Sequence, residues 1–204
     1  MTAYSNPFEA QADSEHNACV TNYIQFSELG WSYARSGDDL VAAMLHDRSK
    51  LDVHVYAVCF LYRHALELCL KDVVWKSHYA LTGERRYAEQ DLKELGKHKL
   101  TGLWTPAVRN AEKLLGEHFP LDTKQREAVR MLLDQFEQHD PESYSFRYPI
   151  LKKKQKGKER RTHPKLRHVN VSDLRESIRQ VLGWLEDVSG MIQYHVEQRS
   201  ECDA

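Results

Sequence analysis

The most apolar stretch of the chain contains a ladder of charged residues. Within residues 51–81, Arg63, Glu67 and Lys71 follow one another at intervals of four. In a helix this spacing places the three side chains on one face, where opposite charges attract. A buried guanidinium without a partner is costly. The ladder therefore indicates either an internal ion-pair network or a cleft in which Arg63 binds phosphate and the adjacent His64 moves a proton.

Two further polar residues, His98 and Arg147, lie outside the long predicted helices. Each is consistent with fixing a loop, His98 as a cap and Arg147 through a salt bridge to Asp140 or Glu67. If the two instead meet the arginine and histidine of the ladder helix, the group combines phosphate binding with an acid–base pair. Such a group suits metal-independent cleavage of RNA through its 2′-hydroxyl. The candidate catalytic residues are Arg63, His64, Glu67, His98 and Arg147.

A basic run occupies residues 152–168, with nine Lys or Arg residues against one Glu. Helical periodicity fails there, which predicts an exposed loop or β-hairpin at about 150–170 before the last helix. Such a run is either a solvated loop or a patch that attracts a phosphate backbone. The candidate nucleic-acid-binding residues are Lys152, Lys153, Lys154, Lys156, Lys158, Arg160, Arg161, Lys165 and Arg167.

The sequence predicts no metal site and no cofactor. His64 and Glu67, three residues apart, would supply two ligands, but no matching pair occurs elsewhere. Glycine-rich phosphate loops, a serine nucleophile elbow and a Cys-His arrangement are also missing, which argues against kinases, common hydrolases and dehydrogenases. The four cysteines show no paired spacing and are predicted to be free thiols: Cys19, Cys59, Cys69 and Cys202.

Composition favours one cytoplasmic domain spanning residues 1–204. Of the 204 residues, 41% are hydrophobic and 29% charged, as in ordinary globular proteins, and the formal net charge is only −1. Any contact with nucleic acid must then come from a local patch. No apolar run approaches the roughly 20 residues that span a bilayer, and the N-terminus lacks signal-peptide features, so no membrane association is expected.

Apolar residues recur at spacings of three and four, which predicts an all-α bundle. The predicted helices are residues 14–36 ending at Gly37, 40–45, 51–81, one from Thr105-Pro106 to Gly116, one capped by Asp122 and Gln125, and one from Ser172. The ends, at about residues 1–13 and 199–204, are expected to be flexible. The apolar helix 51–81 is expected to lie at the centre of the bundle.

Three segments in this order resemble the HEPN superfamily. They are residues 62–71, YRHALELCLK; residues 97–104, KHKLTGLW; and residues 146–149, FRYP. The resemblance implies a four- to five-helix bundle that often forms dimers. It also implies membership of a group in which many proteins are metal-independent ribonucleases used as toxins or antiviral effectors, while others are inactive scaffolds.

Active HEPN proteins carry an arginine followed, after four to six residues, by a histidine near the final helices. This chain has that spacing at Arg48 with His54 and at Arg161 with His168. Chance alone predicts about two such pairs in a chain of this composition, so neither is taken as the catalytic signature.

Two functions remain open after the sequence. The first is an RNA-targeting effector, a metal-independent endoribonuclease, in bacterial stress or antiphage defence. The second is a non-catalytic scaffold or interaction module. The expected partners are a second copy of the chain, RNA, and an antitoxin or defence-complex subunit. The homodimer is predicted because six large apolar residues exceed what one stripe per helix requires: Trp31, Trp75, Trp104, Trp184, Met191 and Tyr194.

Overall fold

The computed structural model describes residues 18, 24–84, 96, 98–148 and 166–202. Within them the chain forms α-helices joined by turns and contains no strand, which confirms the predicted all-α class. The helices are α1 (Phe26–His46), α2 (Leu51–Thr82), α3 (Leu100–Leu115), α4 (Thr123–His139) and α5 (Val171–Cys202). Short 3₁₀ turns at Arg48–Lys50 and Gly116–His118 precede α2 and follow α3. Most of the predicted loop or hairpin at 150–170 lies outside the described residues.

Helix α2 forms the centre of the bundle, as its apolar sequence predicted, and it packs against α1, α3 and α5. Val58, Leu66 and Leu70 are completely buried and belong to a core that also contains residues of the other four helices. The helix ends at Gly83, whose φ of 75° is left-handed and satisfies the usual requirement for a helix C-cap.

Residues 48–82 are long and apolar enough to cross a membrane when judged by length and composition alone. The sequence expectation concerned uninterrupted apolar runs of roughly 20 residues, and this helix carries charged residues, among them Arg63, Glu67 and Lys71. The most apolar window of this segment is 56% buried inside the bundle. Burial against neighbouring helices accounts for its composition, because the core helix of a soluble protein has the same apolar character.

Helix α1 begins at Phe26 and continues past Gly37, whereas the sequence predicted a first helix from residue 14 that ends before Gly37; of its predicted start, residues 14–17 and 19–23 lie outside the described residues. A capping box fixes the start, because Gln25 and Glu28 satisfy each other's backbone N–H groups. Gly37 does not end the helix. A Cβ atom at this glycine would lie 2.6 Å from Cε1 of Tyr62, so glycine here permits α1 to pack closely on α2. The predicted separate helix at 40–45 is therefore the second half of α1.

Helix α3 begins at Leu100 rather than at Thr105-Pro106, and Pro106 lies inside it. Thr101 explains the earlier start. Its backbone N–H and its hydroxyl each donate a 2.9 Å hydrogen bond to the carboxylate of Glu137 on α4, which caps the free end of the helix. Leu100 and Leu103 are buried in the core. Tertiary contacts therefore extend the helix upstream of its proline.

The two C-terminal helices follow the prediction. Asp122 and Gln125 form the expected capping box at the start of α4. Helix α5 begins at Val171, one residue before the predicted start, and the side chain of Asn170 accepts hydrogen bonds from the first turn. The predicted stripe of α5 faces the core, with its buried members Ile178, Val181, Leu185, Val188 and Ile192. The helix continues to Cys202, into the end that was expected to be flexible.

The apolar residues used to predict a dimer are mostly occupied within one chain. Trp104 is buried, and Trp31, Trp75, Trp184 and Met191 pack against the core. Of the six, Tyr194 is a large exposed residue, with 59% of its surface accessible. The homodimer therefore stays a prediction that rests on the resemblance rather than on surplus apolar surface.

Candidate active site

Arg63 is completely buried and binds three parts of the chain. Its Nη1 donates to Oε2 of Glu67 at 3.1 Å, its Nε donates to the backbone oxygen of Asp140 at 3.1 Å, and its Nη2 donates to the backbone oxygen of His98. Each of the three guanidinium nitrogens therefore donates a hydrogen bond. Arg63 has no exposed surface for a substrate, and it ties two loops to α2: the entry to α3 and the turn after α4.

Asp140 organises the turn after α4 and is also completely buried. Its Oδ1 accepts hydrogen bonds of 2.6 Å from the backbone N–H groups of Tyr144 and Ser145. Its Oδ2 lies 3.4 Å from Nε of Arg63 and has no hydrogen-bond partner within the described residues. The sequence offered Asp140 as a partner of Arg147, but the structure pairs it with Arg63.

Glu67 is 1% exposed and holds the ring of His98. Its Oε1 accepts a 2.7 Å hydrogen bond from Nζ of Lys71 and lies 2.9 Å from Nδ1 of His98. Burial by itself would raise the pKa of Glu67, but the hydrogen bonds from Lys71 and His98 outweigh it and lower the pKa below its usual value. Glu67 is therefore an ionised carboxylate at neutral pH.

His98 is the accessible end of this network, with 57% of its side chain exposed. An ionised carboxylate only accepts hydrogen bonds, so Nδ1 of His98 carries the proton that points at Glu67. In the neutral ring Nε2 is then the proton acceptor. In the described part of the chain Nε2 has no partner. The arrangement has the geometry of a general base or acid that a carboxylate orients.

His64 lies one residue after Arg63 and is partly buried between aromatic rings. Its ring stacks on Phe60, with centroids 5.8 Å apart and planes at 8°, and meets Tyr33 edge to face at 4.6 Å. Burial lowers the pKa of His64 below its usual value, although the charge of Glu67 opposes this. His64 is therefore neutral at physiological pH and is held in a fixed orientation.

Arg147 is exposed and lies over the same aromatic surface. Its guanidinium carbon is 5.6 Å from the ring centroid of Phe60 and 5.8 Å from that of Tyr148, and its Nη2 donates to the backbone oxygen of Ser143. Among the described residues Arg147 makes no salt bridge, so the predicted pairing with a carboxylate is wrong. The two carboxylates predicted as its partners, Asp140 and Glu67, form ion pairs with Arg63 instead.

The structure thus separates the five predicted residues into two groups. Arg63 and Glu67 are buried and position their neighbours. His64 and Arg147 both contact Phe60, and His98 contacts Glu67, so the three lie along residues 60–67 of α2. This surface is called the His98 face below, and it consists of Phe60, His64, His98, Arg147 and Tyr148.

The predicted nucleic-acid-binding residues are mostly outside the described part of the chain, including all eight from Lys152 to Lys165. Arg167 is described and exposed. It lines a cavity of about 520 Å³ with residues of α2, among them Val55 and Tyr56. Nothing in this cavity belongs to the His98 face.

Sequence reasoning missed a second buried polar cluster, which lies one turn further along α2. Oδ2 of Asp72 accepts a 2.7 Å hydrogen bond from Oγ of Ser189 and lies 2.8 Å from Nζ of Lys76. Nζ of Lys76 also donates to Oγ of Ser189 at 3.0 Å. Asp72 and Lys76 are four residues apart in the apolar helix, and the same spacing of opposite charges identified Arg63 and Glu67 as candidates. Ser189 could not be found in this way, because it lies on α5, 117 residues from Asp72 in the sequence.

Cys59 and Cys69 are free and buried, as predicted. Burial raises the pKa of each thiol to about 12, so both stay protonated and are poor nucleophiles. Cys19 and the side chain of Cys202 lie outside the described residues. In the part of the chain that the structure describes, no group of three or more His, Cys, Asp or Glu residues is placed to hold a metal ion.

Comparisons of the chain with protein-family models, with curated proteins and with solved structures gave no match.

Proposed function

We propose that the protein is an HEPN-like RNA-targeting effector that cleaves RNA without a metal ion, in bacterial stress or antiphage defence. One observation carries the proposal: the exposed ring of His98 is held through Nδ1 by the buried carboxylate of Glu67. The three segments that resemble the family contribute to this surface. Residues 62–71 lie in α2, residues 98–104 begin at the entry to α3, and residues 146–148 lie in the turn after α4.

The proposed reaction is attack by the RNA 2′-oxygen on the adjacent phosphorus. Nε2 of His98 takes the proton of the 2′-hydroxyl, the 2′-oxygen to phosphorus bond forms, and the bond to the 5′-oxygen breaks. The leaving 5′-oxygen takes up a proton from solvent. Glu67 orients the imidazole and offsets the positive charge that it gains. Arg147 supplies a positive charge for the phosphate, and the neutral His64 is a second proton acceptor on the same face.

Replacement of His98 tests the catalytic proposal. We expect His98→Ala to lower the cleavage of total RNA in EDTA by about 100- to 10,000-fold, the usual contribution of a general base. Its thermal midpoint should change little, because the ring is mostly exposed. His118→Ala is the matched control, since His118 is an exposed histidine elsewhere in the bundle. Full cleavage by His98→Ala would rule out the proposed mechanism.

The second candidate function is a non-catalytic HEPN-like scaffold or interaction module. It is favoured by the complete burial of Arg63 and by the contacts of Arg147 with a carbonyl oxygen and two rings. These contacts fix two loops and need no substrate. A folded wild-type protein that leaves total RNA intact, yet captures a partner chain through the His98 face, would favour this alternative.

A further inference from the structure

The second buried cluster borders a cavity between α1, α2 and α5. The cavity has a volume of about 280 Å³. A cavity of about 150 Å³ can hold a benzene molecule, so this one has room for a free amino acid. It is called the Lys76 cavity below, and its lining includes Glu28, Trp31, Asp72, Lys76, Glu186 and Gly190.

The ammonium group of Lys76 has a hydrogen-bond donor that its protein partners do not use. Its Nζ lies 2.8 Å from Oδ2 of Asp72 and donates to Oγ of Ser189 at 3.0 Å. An ammonium has three N–H donors, and among the described residues no third acceptor binds Nζ. The side chain of Lys76 is 14% exposed and lines the cavity. A ligand carboxylate can therefore accept the remaining, charge-assisted hydrogen bond.

The exposed part of the lining carries the opposite charge. Glu28 and Glu186 both line the cavity, and both are exposed. In the described part of the chain neither forms a salt bridge, although Glu28 accepts a hydrogen bond from the backbone N–H of Gln25. The two carboxylates can therefore bind the ammonium group of a ligand that enters from solvent.

The cavity also offers apolar surface, because Trp31, Cys69 and Leu185 line it. Gly190 lines it as well, and an added Cβ atom there would meet no heavy atom within 4 Å. Glycine is unfavourable inside a helix relative to alanine, and here it leaves the space beside α5 open. An apolar ligand side chain can therefore pack inside the cavity.

The two carboxylates and the unused donor surround one cluster. Glu186 precedes Ser189 by three residues on α5, and residues at this spacing are neighbours on a helix surface. Ser189 in turn binds Nζ of Lys76. On α1, Glu28 follows Ser27, whose backbone N–H donates to Asp72 at 3.4 Å. A ligand that binds all three groups therefore carries its positive and negative charges on neighbouring atoms, as an α-amino acid does.

A ligand with only one of the two charges fits this cavity less well. An alkylamine would leave the donor of Lys76 unused, and an alkyl carboxylate would approach the like charges of Glu28 and Glu186. We infer that the Lys76 cavity binds an apolar α-amino acid, with its carboxylate at Lys76 and its ammonium at the two glutamates. The inference is independent of the proposed function, since the described residues that line the cavity include none of the His98 face.

Isothermal titration calorimetry at low salt tests the ligand class. It compares L-leucine with two analogues that each lack one charge, 3-methylbutylamine and 4-methylpentanoate. We expect leucine to bind, and each analogue to bind at least about 10-fold more weakly, because each loses hydrogen bonds to a charged group. Equal or tighter binding of either analogue would overturn the inference, as would no binding of leucine at millimolar concentration.

Replacement of Glu186 tests where the ammonium lies. We expect Glu186→Gln to weaken leucine binding by about 10-fold and to leave 4-methylpentanoate binding no weaker, because that analogue has no ammonium. Asp187→Asn is the matched control, since Asp187 is the next residue on α5, is exposed and does not line the cavity. An equal loss of leucine binding in the two variants, or a parallel loss of both ligands in Glu186→Gln, would contradict the proposed orientation.

Filling the cavity tests whether leucine binds there. We expect Gly190→Leu to abolish leucine binding without lowering the thermal midpoint, because leucine is a better helix former than glycine. Gly183→Leu is the matched control: an added Cβ atom at Gly183 also meets no heavy atom within 4 Å, and this glycine does not line the cavity. Leucine binding that persists in Gly190→Leu, or that is lost equally in Gly183→Leu, would overturn the inference.

Discussion

Arg63 with Glu67 and Asp72 with Lys76 are two ion pairs of the same spacing on the same helix, and each has little or no solvent access. The first pair also binds groups outside the helix. Glu67 holds the exposed His98, and Arg63 holds the backbone of two loops. The buried charges of Arg63 and Glu67 thus fix the positions of His98 and of the two loops at the surface.

The second pair stays within the bundle. Asp72 and Lys76 bind Ser189 on α5, and Asp72 also accepts a 3.4 Å hydrogen bond from the backbone of Ser27 on α1. These contacts join three helices, and among the described residues they orient no exposed acid or base. The difference shows that a spacing of four residues in an apolar helix predicts a buried ion pair. The role of the pair depends on which other groups its two side chains bind.

The largest effect is expected from Arg63→Met, which tests whether the first cluster supports the loops. The variant leaves the carboxylates of Glu67 and Asp140 buried near no guanidinium, and breaking a buried ion pair costs about 3–5 kcal/mol of unfolding free energy. Urea denaturation measures the loss. Arg130→Met, which breaks an exposed pair of the same spacing with Asp134, should cost far less. Equal stability of Arg63→Met and the wild type would contradict the anchoring role.

A smaller effect is expected from Asp72→Asn, which tests whether the second cluster is independent of the His98 face. The amide still accepts a hydrogen bond from Ser189, but Lys76 loses its counter-charge, and we expect a cost of about 1–3 kcal/mol. Urea denaturation measures this cost. RNA cleavage per folded molecule, measured well below the unfolding midpoint, should equal that of the wild type. Loss of cleavage in the folded variant would show that the two clusters are coupled.

The smallest effect concerns the pH dependence of stability. Burial lowers the pKa of His64 in the folded chain, so the unfolded chain binds its proton more readily. The contribution of His64 is present above the usual histidine pKa of 6.5 and is lost as the pH falls through the lower folded value. His64→Gln should therefore lose less stability than the wild type between about pH 7 and pH 5. Thermal melts across this interval, with His118→Gln as control, measure the slope; identical slopes would contradict the assignment.

Glu67 adds a second acid dependence at lower pH. Its folded pKa is also lowered, so its contribution is present above the usual value of 4.5 and disappears as the pH falls through the folded pKa. This loss should remain in His64→Gln when the melts are extended below pH 4.5, and the lower pH at which it occurs distinguishes Glu67 from His64.

The sequence by itself determined the class of fold and most of the helices. The apolar stripes of α2 and α5 and the capping pair of Asp122 with Gln125 are local patterns, and local patterns are readable without contacts. Gly37 and Pro106 misled the prediction because each was interpreted as a helix boundary. Contacts with Tyr62 and the cap that Glu137 provides for Thr101 lie far away in sequence, and these contacts decide where α1 and α3 run.

For the site, the sequence identified the Arg63–Glu67–Lys71 ladder, since its spacing is a property of one helix. It also singled out His98 and Arg147. It could not assign the partners that lie far away in the sequence. Glu67, the carboxylate that orients His98, is 31 residues from it, and Asp140, whose carbonyl oxygen binds Arg63, is 77 residues from that arginine. Only the packing of α2 against the two loops decided which groups are buried and which reach solvent, because burial is set by the whole bundle rather than by any single segment.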